Sequence, residues 1–155
     1  MKINPKVLAE TLFTELLQRK HCDVPEEIRV EPAALPALEE KIRLYQFTTV
    51  LLGILNEADK KPEFIPVREH FERLYLPPRF DLDSLGNVRT AMNDLSKLLS
   101  LQKGDSGKAM FWARDWLARI GIQENNPIML FSLALRWMDY YITVVNSLKD
   151  FDPIG

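Results

Sequence analysis

The chain has one cysteine, Cys22, among 155 residues. A lone thiol can form neither an internal disulfide nor a multi-thiolate metal site, so packing alone must hold the fold. With 6 glycines and 10 prolines, the chain is not a low-complexity or collagen-like segment. It has no Gly/Ser linker to divide domains. Neither sign of charge dominates: the formal net charge is −2 and the pI is near 5.7. No global positive field is therefore available to attract nucleic acid or anionic lipid. The N-terminal stretch carries Glu10 and Glu15 where a signal peptide would need an uncharged core, which makes a cytoplasmic protein the expectation.

Apolar residues make up 46% of the chain and charged residues 27%, a composition that can bury a sizeable core in one domain spanning 1–155. Helical periodicity dominates. Leu8, Leu12, Phe13, Leu16 and Leu17 fall on one face of a helix starting near Pro5. After a connector marked by Pro25 and Pro32, a second helix can open at Pro36 and run to about Asn56. Its second half, with Val50, Leu51, Leu52, Ile54 and Leu55, leaves almost no polar face. Four prolines between 57 and 81 allow only a short helix from Pro66 to about Tyr75, with Val67, Phe71 and Leu74 as its buried stripe.

Leu85, Val88, Met92, Leu95 and Leu99 alternate spacings of three and four, the narrow seam of bundle packing. Asp81 or Asp83 can cap that helix, and Lys103 with Gly104 can end it. A fourth long helix starts at Asp105 or Ser106 and stops at Gly121. It places Ala109, Trp112, Ala113, Trp116, Leu117 and Ile120 on one face. The last helix opens on Asn126 and Pro127 and runs to about Lys149. Ser132, Arg136, Asp139, Thr143, Asn146 and Asp150 form a single polar stripe down it. The rest of its surface is apolar enough to need neighbours on two or three sides, as the central helix of a bundle or half of a subunit interface. The same segment is long enough to cross a bilayer, but Arg136 and Asp139 would then sit near the midplane, so no membrane association is expected.

Motifs that could carry chemistry fail on context. Gly104-Asp105-Ser106-Gly107 has the letters around a trypsin-like nucleophile, but that chemistry needs a positioned histidine and a β-barrel setting, which a helical chain does not supply. Gly107-Lys108 ends like a phosphate loop, yet Gln102 and Ala109 stand where a glycine and a Ser/Thr are required. Glu69 and Glu72 share one side of a turn with Arg68 and Arg73 beside them, which describes a solvated charged face. His21 and Cys22 have no further ligand at metal spacing. Trp112, Trp116, Arg114 and Arg119 interleave aromatics with bases, but helical geometry puts rings and guanidiniums on different faces, which disfavours nucleic acid. Neither the Arg-x4-His motif of helical ribonucleases nor the paired acidic motifs of helical nucleotide pyrophosphatases is completed.

The expectation is an all-α, single-domain bundle of about five main helices plus one short helix, mostly antiparallel, with the C-terminal helix central. No metal or cofactor is expected, and no catalytic set emerges. The leading functional expectation is a non-catalytic protein–protein interaction module (a subunit, adaptor or inhibitor) that presents apolar helical surface to another protein or to itself as a homodimer. The segment Leu74–Phe80, which mixes apolar anchors with stiff prolines, adds to that motivation. The alternative is a small-ligand-binding bundle with an aromatic pocket. Candidate binding residues for either reading are Trp112, Trp116, Arg136, Trp137, Asp139, Tyr140 and Tyr141.

Overall fold

Asn4 is extended, and its Oδ1 accepts from the backbone N–H of Lys6 at 2.9 Å and of Val7 at 3.4 Å. Those two donors would otherwise lack partners, so the first helix, α1 (Pro5–Leu16), begins at its proline as the sequence predicts. The computed structural model describes residues 1–17, 24–75 and 82–154. Its further helices are α2 (Leu35–Lys60), α3 (Ile65–Tyr75), α4 (Leu82–Leu99), α5 (Ser106–Ala118) and α6 (Pro127–Lys149). Single 3-10 turns at Pro32–Ala34 and Pro62–Phe64 lead into α2 and α3. The architecture is all-α, helix packed on helix in one bundle.

The Gly121 stop acts where the residues imply, whereas α4 already ends at Leu99, before the stop expected at Lys103 and Gly104. Gly104 and Gly121 take φ of 102° and 81°, left-handed values that side chains with a Cβ resist. Asn126 accepts from the N–H of Ile128 at 2.9 Å and so caps α6. The second helix runs past Asn56 to Lys60, where an extended Lys61 separates it from the 3-10 turn that leads into α3. His21, Cys22 and Asp81 lie outside the described residues, as does most of the Leu74–Phe80 segment.

The core joins every helix. Phe47 of α2 stacks on Phe71 of α3 at 5.0 Å, and Phe13 of α1 meets Phe71 edge-on at 6.2 Å. Gly53 lets α2 approach α6 closely, since a Cβ there would stand 2.7 Å from Val144 Cγ1. The C-terminal helix packs on α2, α4 and α5, and α2 shares the central position by touching α1, α3, α4 and α6. A short parallel pairing of β1 (Lys2–Ile3) with β2 (Asp152–Pro153) draws the two ends of the chain together. Helical periodicity carries no sign of that pairing.

The seam expected along α4 is rotated. Val88, Ala91, Leu95 and Leu98 are buried, whereas Met92 and Leu99 are half-buried. Asp94 is buried with them at 7% exposure. The helix turns this face inward because Asp94 has partners there.

Candidate functional site

Four of the seven residues singled out from the sequence form one continuous aromatic string. Trp112 stacks on Trp116 at 6.4 Å, Trp116 tilts against Trp137 at 5.9 Å, and Trp137 stacks on Tyr140 at 6.1 Å. All four are buried. The string bridges α5 and α6, and the Tyr140 hydroxyl donates to the carbonyl of Leu16 at 2.6 Å, which ties α6 to the end of α1. Arg136 and Tyr141 are half-buried and Asp139 is exposed. Tyr141 is hydrogen-bonded to the Asn56 amide of α2.

An aromatic pocket requires a gap among these rings, and the rings close on one another. The cavity beside Tyr140, lined by Leu16, Asp139, Tyr140 and Thr143, holds about 70 Å³. Pockets that enclose a small organic ligand begin at about 300 Å³. A volume of about 70 Å³ has room for about two waters. The Nε1 atoms of Trp116 and Trp137 are buried and meet no acceptor among the described residues.

Tyr45 extends the string into α2 and leads to a polar cluster that periodicity did not single out. Its ring packs edge-on against Trp112, Trp116 and Trp137 at 6.4, 5.6 and 5.8 Å. Its hydroxyl donates to Asp94 Oδ2 at 2.5 Å. Arg119 reaches the same carboxylate through Nη1 at 3.1 Å and Nη2 at 3.4 Å, while its Nε donates to Asp115 at 3.0 Å. The indole N–H of Trp112 donates to the backbone carbonyl of Asp94 at 3.0 Å. One carboxylate thus joins α2, α4 and the end of α5.

Lys41, one turn before Tyr45, holds its ammonium over the rings of Tyr45 and Trp116 at 5.7 and 5.5 Å. Burial lowers its pKa, and the positive charge of Arg119 lowers it further against the opposing pull of Asp94 and Asp115. Burial and the hydrogen bond to Asp94 raise the Tyr45 phenol well above its ordinary value. Burial alone would lower the Arg119 pKa, but its bonds to Asp115 and Asp94 outweigh that and hold the guanidinium charged. Asp94 and Arg119 therefore each have a partner already in place. A phenol held protonated and a carboxylate occupied by two donors make a clamp between helices. Among the described residues no group of three or more His, Cys, Asp or Glu side chains is placed to hold a metal ion.

The second candidate lies on the other side of α6. Leu130, Leu133, Ala134, Trp137, Tyr140, Val144 and Leu148 form its buried stripe. The apolar sector does not end there. Ile128, Leu135 and Ile142 are 73%, 38% and 54% exposed, and Phe131, Met138 and Val145 between them are half-buried. These six residues follow spacings of three, four, three, four and three, so they form one straight seam along the outer face. The polar stripe from Ser132 to Asp150 borders it on one flank. No family model, curated protein or solved structure matches this chain. Function therefore has to be read from these surfaces.

Proposed function

We propose that this protein is a non-catalytic protein–protein interaction module and that the outer face of α6 is the surface it presents. The supporting observation is the mismatch between how much of α6 is apolar and how much is covered. The helix is long and apolar enough to cross a membrane by length and composition, yet only 33% of its most apolar stretch is buried inside the bundle. Large apolar side chains scattered singly over a surface are ordinary, whereas a contiguous seam of them marks a place where water is meant to be displaced. Such seams dock other helices by fitting side chains between those of a partner.

The aromatic string and the Tyr45–Asp94–Arg119 clamp support this reading indirectly. They fix the rotation of α6 relative to α2 and α5, so the seam is presented on a rigid support. A rigid surface loses less conformational entropy on association than a mobile one.

The test compares native complexes formed by the wild-type protein and by the double variant Leu135→Glu, Ile142→Glu. Both positions lie on the exposed seam, so the variant is expected to fold. A complex formed by the wild type and lost in the folded variant supports the reading. A complex retained in full by the variant places the interaction elsewhere and overturns it.

A further inference from the structure

We infer that the groove between α1 and α3 is a binding site for a short apolar peptide with free ends, its amine at Glu63 and its carboxylate at Lys6 and Arg73. The site shares no element with the α6 seam, so it is independent of the reading of that surface. Two cavities make up the groove. One, of about 510 Å³, is walled by Pro5, Pro66, Pro153 and Ile154 and is lined also by Glu63. The other, of about 290 Å³, is lined by Lys6, Glu10, Arg73 and Leu74. His70 lines both and so stands where they meet. Their joint volume falls within the roughly 300–1,000 Å³ of pockets that enclose small ligands.

The spacing of the residues makes the groove straight. Glu63, Pro66, His70 and Arg73 follow intervals of three, four and three, which align them along one side of the turn and helix that run from Pro62 to Tyr75. Lys6 and Glu10, four apart, share a side of α1 in the same way. The chain end supplies the last wall: the Ile154 N–H donates to the Ile3 carbonyl at 2.8 Å, which holds the apolar tail against the start of α1. Proline rings have no side-chain freedom to lose, so these walls are formed before a ligand arrives.

Charge divides the two ends. Glu63 is the charged group of the proline-walled cavity. In the other cavity Lys6 and Arg73 stand against one acid, Glu10, which leaves that end net positive. Among the described residues none of these charged side chains forms an ion pair, although Lys6 and Glu10 sit at a spacing that allows one. A ligand with a positive group at one end and a negative group at the other complements this division. The helix sets the distance. Glu63 and Arg73 are ten residues apart, or about 15 Å at roughly 1.5 Å per residue. An extended peptide advances about 3.4 Å per residue, so about four residues span the groove. Between the ends, the His70 imidazole offers a donor and an acceptor to peptide C=O and N–H groups, while the prolines and Ile154 receive apolar side chains.

The test titrates the full chain with the unblocked tetrapeptide Leu-Ala-Val-Leu and follows the His70 ring protons by NMR, identified by their absence in His70→Gln. Saturable shifts of these protons are expected, with a Kd of about 1 mM or tighter. Acetylating the amine or amidating the carboxylate is expected to weaken binding by about two- to fivefold, the worth of one exposed ion pair. Glu63→Gln should remove the penalty for acetylation and keep that for amidation, whereas Lys6→Gln with Arg73→Gln should do the reverse. All three side chains are exposed, so the variants are expected to fold. No saturable shift at His70 overturns the site, and blocked peptides that bind as well as the free one overturn the charge assignment. Penalties unchanged in both variants place the peptide ends elsewhere and overturn it too. An unbranched ω-amino acid of matching length that binds as tightly as the tetrapeptide overturns the choice of a peptide.

Discussion

Replacing Asp94 with alanine is expected to loosen three helices at once, and the cost can be built from the groups left behind. The Tyr45 hydroxyl sits on a residue that is 2% exposed and loses the carboxylate to which it donates. A buried donor left without a partner costs about 1–3 kcal/mol. Arg119 has a different fate. Its side chain is 39% exposed and keeps Asp115, so its lost contact counts as a surface pair worth about 0–1 kcal/mol. The sum is about 1–4 kcal/mol. For a domain of this length each kcal/mol moves Tm by about 2–4 °C, so a fall of about 2–16 °C is expected. Urea unfolding followed by circular dichroism gives the stability at 25 °C, with an unchanged m-value required for the comparison. Tyr45→Phe should cost little in the Asp94→Ala background, because the hydroxyl has no acceptor there, and the double-mutant cycle should return a coupling above about 0.5 kcal/mol. A loss for Asp94→Ala under about 0.5 kcal/mol, or strict additivity with Tyr45→Phe, would refute the clamp.

Gly53→Ala pushes a methyl to 2.7 Å from Val144 Cγ1 and is expected to destabilise by about 1–3 kcal/mol. Val144→Ala in the same chain should cost less than it does alone, which thermal denaturation of the four variants would reveal. The raised Tyr45 pKa has a defined alkaline signature. Its stabilising share is fully present below the ordinary phenol value of 10 and is lost as pH rises through the higher folded value, so Tyr45→Phe should flatten the alkaline decline in a stability–pH profile. The lowered Lys41 pKa works in the opposite sense. Its share is present above 10.5 and lost as pH falls through the folded value, so Lys41→Met should raise stability at neutral pH more than it does above 10.5. Ile142→Glu should shift stability by under about 0.5 kcal/mol, since more than half of its side chain is exposed.

The helices were legible because their end signals are local. Pro5, Asn126 with Pro127, and Gly121 each act within a turn of the chain, and the apolar periodicity does the rest. Asp94 shows where such reading runs out. On the sequence it is one more acid on an amphipathic helix, and nothing nearby in the chain says that Tyr45 and Arg119, 49 and 25 residues away, will surround it. A spacing rule for apolar residues therefore placed the α4 seam on the wrong rotation, favouring Met92 and Leu99 over Ala91 and Leu98. The β1–β2 pairing was invisible for a similar reason: two residues per strand carry no alternation, and the partner lies at the far end of the chain. The aromatic residues were identified by type, but whether they left a gap depended on the angles between rings from different helices.

The same limit bears on α6, where composition told how much apolar surface the helix has but not how the bundle would divide it. Trp137 and Tyr140 are the bulkiest residues of its buried stripe, and their neighbours on α5, α2 and α1 fix which way the helix faces. Once that rotation is set, Ile128, Leu135 and Ile142 have no place in the core. A helix whose only task was to complete the core would be at least as stable with polar residues at those three positions, and more soluble. Instead the apolar character is sustained at alternating intervals of three and four from Ile128 to Val145, beside a separate polar stripe that would already meet the requirement for a wet face. Such regularity is what the proposed docking of a helix would need, because interdigitation needs every turn to offer a side chain at the same azimuth. For that reason the exposed isoleucines, more than the tryptophans, are the residues through which function is expected to be lost.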